Sequence, residues 1–135
     1  MKRFILFLLM IIPVLSMAQS WHCVHHAKDY SWWVYVYDDI QKPKSTYSTI
    51  KVWVKLRFDT PSAQAEFRTR ATTSRQLHEI YPDFKSYRIL QVTNYDKDEK
   101  IMGTYKAAGS KFYIVPGAIE ESVVMKVREI LEEDN

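Results

Sequence analysis

Cysteine is all but absent from the chain: Cys23 is the single one in 135 residues. No internal disulfide can form, so packing alone must hold the fold. Glycine is nearly as scarce. Gly103, Gly109 and Gly117 are the only three, and none stands in a pattern that cradles a phosphate or builds a nucleophile elbow. The longest apolar run, Phe4 to Leu15, has 12 residues, short of the roughly 18 that suggest a membrane-spanning helix. An excess of one charge is missing as well. With 19 basic and 16 acidic side chains the formal charge is +3, which is no electrostatic footprint for nucleic acid.

What is present begins with an export pattern. Lys2 and Arg3 precede the apolar run, and Ser16-Met17-Ala18 precedes Gln19, which together predict a secretory signal peptide over residues 1–18 with cleavage after Ala18. Ser20-Trp21-His22-Cys23 lacks the cysteine at the cleavage position that a lipid anchor needs, so the expected product is periplasmic or secreted, with no membrane span. Its 117 residues, stripped of Lys2 and Arg3, carry a charge of +1. Residues 19–135 read as one domain with a core of useful size.

Ile50 to Phe58 gives the clearest local signal. Ile50, Val52, Val54, Leu56 and Phe58 alternate with Lys51, Trp53, Lys55 and Arg57, the period of a half-buried strand. Further strands are expected over Trp21–His26, Trp32–Tyr37, Arg75–Ile80, Tyr87–Tyr95 and Lys100–Lys106, with a short one over Lys111–Val115 and a turn at Asp96–Glu99. From Ala118 to Glu133 the period becomes helical. Ile119, Val123, Val124, Val127, Ile130 and Leu131 draw one apolar stripe, and Pro116-Gly117 marks its start. The expected fold class is therefore α+β: a single antiparallel sheet of about six strands with a C-terminal amphipathic helix packed on one face. Residues 61–73 carry the weakest pattern. Ser62 capping a turn through Ala63–Arg68 and a loop throughout are both open.

Little here suggests catalysis or metal binding. His22, Cys23, His25 and His26 crowd one stretch, but on a regular strand Trp21, Cys23 and His25 face one side while His22, Val24 and His26 face the other. Two ligands on a face fall short of the three or four a zinc site needs, and the bland reading is a polar edge strand with a partly buried thiol. His78 and Glu79 point to opposite sides of a strand, and Asp38-Asp39 reads as a strand end. No catalytic residue, metal or cofactor is expected. The residues that stand out are Lys51, Trp53, Lys55 and Arg57, an aromatic among cations on the far side of the strand from the helix, which suits an acidic protein partner. Cover of Trp53 by the first strands or by a dimer mate is the alternative.

Elements in order along the chain carry a resemblance. Trp21, Tyr37-Asp38-Asp39-Ile40, Val52-Trp53-Val54-Lys55, Arg88-Ile89-Leu90 through Tyr95-Asp96, and Ile114-Val115-Pro116-Gly117 make the chain similar to the bacterial surface-adhesin protein E family. The resemblance implies about six antiparallel strands under a C-terminal helix, a possible homodimer, and binding to host matrix proteins such as vitronectin and laminin. It departs from that pattern at Tyr81, where members commonly carry a cysteine bridged to another near the C-terminus, and at Ala118, where members often carry a capping serine. The second reading of function is a periplasmic envelope structural or assembly protein, whose partner is an envelope component. A third is a metal-handling protein.

Overall fold

The computed structural model describes residues 21–35, 49–106 and 109–133. The expected signal peptide over 1–18, the Tyr37-Asp38-Asp39-Ile40 turn and the last two residues of the expected Trp32–Tyr37 strand lie outside the described residues. Within them the chain forms β1 (Trp21–His26), β2 (Tyr30–Tyr35), β3 (Ile50–Phe58), α1 (Pro61–Glu66), β4 (Thr73–Ile80), β5 (Ser86–Tyr95), β6 (Ile101–Lys106), β7 (Phe112–Tyr113) and α2 (Ile119–Glu133). The first six strands pair antiparallel in chain order, and the two-residue β7 pairs with β5. This is the expected α+β fold.

Alternation on β3 decides which face is the core. Val52 and Val54 are completely buried, and Ile50, Leu56 and Phe58 nearly so. Register carries that face outward through the neighbouring strands: Trp32 and Val34 stand opposite Leu56 and Val54, and His78 and Ile80 opposite Val52 and Ile50. Val123, Val124, Val127 and Leu131 of α2 close over the same cluster, each burial contributing about 1.5–3 kcal/mol. Ala63 of α1 joins it too. Both helices therefore lie on one side of the sheet.

The helix starts show what the sequence pattern missed. Thr60, not Ser62, caps α1: its backbone is extended (φ −136°, ψ 156°) and its hydroxyl accepts from the Ala63 N–H at 3.2 Å. Pro61 then occupies the first helical position, where the missing N–H costs nothing. Residues 61–66 are thus a helix, which closes the alternative of a loop throughout. At α2, Ala118 offers no capping oxygen. Glu121 reaches back to the Gly117 N–H at 3.4 Å, and with Glu120 it places negative charge in the first turn, where the helix dipole favours it. Gly117 has a φ of +84°, a conformation that glycine adopts without the steric cost a side chain brings.

Candidate functional site

The face of the sheet away from the helices carries cross-strand rows. Paired residues share a face, so the register aligns Trp21, Tyr35, Trp53, Leu77 and Gln91 in one row. The next row holds Cys23, Trp33, Lys55, Arg75 and Thr93, and a third ends in Arg57, Thr73 and Tyr95. Every strand from β1 to β5 contributes. Aromatic side chains fill the β1–β3 side, and cations with short polar groups follow.

Those rows enclose an open cleft of about 410 Å³ lined by Trp21, Tyr35, Trp53, Arg75, Gln91, Thr93 and Tyr95, within the size range of ligand sites. The Trp21 and Tyr35 rings lie 5.3 Å apart at 60°. Lys55 Nζ sits over the Trp21 ring at 4.4 Å and the Trp33 ring at 5.2 Å, and the Arg75 guanidinium lies 5.8 Å from Trp21 and 5.1 Å from Tyr95. Such cation–aromatic contacts fix both cations on the face. Partial burial, then the charges of Arg75 and Arg57, hold the Lys55 ammonium below the usual lysine value, with Glu99 opposing weakly.

Of the four residues singled out in the sequence, two join this cleft. Trp53 is half-buried in its wall and Lys55 stands beside it. The other two turn to acidic neighbours. Lys51 stands opposite Glu79, whose carboxyl it helps to hold low, and Arg57 pairs with Asp59 at 3.1 Å. Trp53 stands in one row with Trp21 and Tyr35 of the first strands and is half-buried there. Sequence reading missed Trp21, Tyr35, Arg75 and Tyr95 as site residues, because only register brings β1, β2, β4 and β5 to one place.

Glu79 anchors the end of this face. Burial acts to raise its pKa, but hydrogen bonds from Thr49 (2.5 Å) and Arg88 (2.8 Å), together with the charges of Arg88 and Lys51, outweigh it, and the carboxyl is held below its usual value. His78 faces the opposite way, as expected, and is buried. Its Nε2 lies 2.9 Å from the Gln76 amide oxygen. Burial lowers its pKa to about 4, so the ring is neutral and serves packing.

The histidine-rich strand differs from its regular-strand reading. A bulge between Cys23 and His25 inserts an extra residue into β1, which inverts the alternation beyond it. His25 consequently turns to the helix side, stacking on Tyr30 at 5.7 Å, while His26 pairs with Ser31 on the outer side with Cys23. Cys23 is exposed rather than partly buried. Among the described residues no three His, Cys, Asp or Glu side chains gather as a metal site, and no helix is long and apolar enough to cross a membrane.

A second, more apolar cleft of about 470 Å³ lies between α2 and the chain around β7, with Phe84, Tyr113, Ile114, Val124 and Met125 in its lining. Comparison with protein-family models, curated proteins and solved structures found no match to the chain.

Proposed function

We propose that the protein is an exported, non-enzymatic binding domain that contacts a protein partner through the outer face of its sheet. One observation carries this reading: both helices pack on the opposite face, and the outer face keeps a cleft of aromatic walls beside cations. Half-buried Trp and Tyr with Arg are the side chains that most often dominate protein interfaces. The resemblance to the surface-adhesin protein E family supports a host matrix protein as that partner, and the pattern of residues 1–18 supports export.

The envelope reading uses the same face with a partner from the cell's own envelope. Location separates the two. Protein found on intact cells or in the medium, retaining vitronectin or laminin in a pull-down, supports the adhesin-like reading. Protein released only by osmotic shock, retaining envelope proteins instead, supports the assembly role. Intact mass tests export: the expected mature chain begins at Gln19 without lipid, and a diacylglycerol adduct on Cys23 contradicts it.

A further inference from the structure

Two cations face each other across β3 and β4 on the outer face. Lys55 and Arg75 are register partners, and like charges directly opposite on a sheet repel. Arg57, one row away, is neutralised by Asp59, and Arg88 by Glu79. Among the described residues neither Lys55 nor Arg75 forms a salt bridge or donates a hydrogen bond; their contacts are to aromatic rings, and Glu99 is the one carboxylate whose charge is felt at Lys55, as the weakest influence on it. The pair is therefore a local excess of positive charge on a chain that is otherwise nearly balanced.

Arg75 also lines the cleft, with Trp21 and Tyr95 to either hand and Trp53 and Tyr35 completing the walls. A guanidinium resting on ring faces keeps its in-plane N–H donors for a planar anion, and a carboxylate matches that fork in bidentate fashion. Rings beside it offer apolar area to whatever carries the carboxylate. Resting on the outer-face reading above, we propose that the cleft recognises an acidic side chain next to an apolar one on the partner protein. Arg75 takes the carboxylate, Lys55 strengthens the field, and the walls of Trp21 and Trp53 take the apolar neighbour. An anion here offsets the repulsion between Lys55 and Arg75, which adds to burial in holding the Lys55 ammonium low.

The four tryptophans make this testable on the whole protein. Trp21, Trp33 and Trp53 lie on the outer face, and Trp32 lies in the core, so the Trp32 indole is an internal control. The probes are N-acetyl-Phe-Glu amide and its neutral counterpart N-acetyl-Phe-Gln amide, titrated into nitrogen-15-labelled protein and followed by NMR. The acidic peptide is expected to move the Trp21 and Trp53 indole signals and the Arg75 side-chain signal, leave Trp32 in place, and bind about ten-fold more tightly than the neutral one. Arg75→Gln should bring the acidic peptide down to the neutral one and leave the neutral one unchanged, with the Trp32 signal reporting an intact core. Equal binding of the two peptides, or no loss in Arg75→Gln, overturns the proposal. Glucuronate or inorganic phosphate binding more tightly than the acidic peptide overturns the assignment to a protein segment. Partner capture that depends on Trp53 but not on Arg75 sinks this proposal and leaves the outer-face reading standing. Capture indifferent to both sinks the two together.

Discussion

The imidazole of His78 stacks on the ring of Tyr87 at 5.4 Å, nearly parallel at 13°, so a titratable ring is built into the buried face of the sheet. Its pKa of about 4 lies below the ordinary 6.5 because burial disfavours the charged form. Between those values the unfolded chain takes up a proton that the native chain refuses. Stability is therefore full above pH 6.5 and falls as the pH drops toward 4, by about 3 kcal/mol at most. Denaturant unfolding at steps between pH 7 and pH 4 should show this slope, and His78→Phe should flatten it. Below pH 4.5 the low carboxyl of Glu79 adds a further loss. An unchanged slope in His78→Phe contradicts the assignment.

Docking of α2 rests on packing, since the only cysteine is exposed. Val127 is completely buried and Leu131 nearly so. Val127→Asp or Leu131→Asp places an unpaired charge in the core and should prevent stable folding. Cooperative melting at the wild-type temperature in both variants means that the helix is not docked.

The cap of α1 allows a sharper comparison of neighbours. Thr60→Ala removes the hydroxyl that accepts from Ala63 and should cost about 1 kcal/mol in denaturant unfolding. Ser62→Ala, two residues on and exposed, should leave stability within a few tenths of a kcal/mol. Equal losses in the two variants contradict the cap.

Much of the fold was legible because its signals are periodic. Alternation from Ile50 to Phe58 and the stripe from Ile119 to Leu131 each named a face, and both faces are the observed core. Local irregularity was not legible. The bulge in β1 follows from how Trp21–His26 pairs with β2, so no pattern within those six residues announces that His25 changes sides. The cleft was half legible for a related reason. Trp53 and Lys55 were visible on one strand, but Arg75 and Tyr95 join them only once the register of β3, β4 and β5 is known. Assuming an unbroken meander and counting outer-face positions would have found Arg75.

Metal should matter little to stability. His25 lies on the helix side of β1, while Cys23 and His26 lie on the outer side, so a native-state site has too few ligands on one face. Zinc or copper at modest excess should leave the melting temperature nearly unchanged, whereas a tight site raises it by mass action. A large rise abolished by His22→Ala or His26→Ala contradicts this.

The central claim is that the outer face binds a protein without being needed for the fold. The most direct test measures binding of wild-type protein, Trp53→Ala and Lys55→Glu to immobilised vitronectin, laminin and envelope proteins, with melting temperatures taken in parallel. The account predicts at least about a ten-fold loss of binding in both variants, with cooperative melting retained. Full binding by both variants contradicts the account, and so does a collapse of stability in Trp53→Ala alone, which would make this residue part of the core.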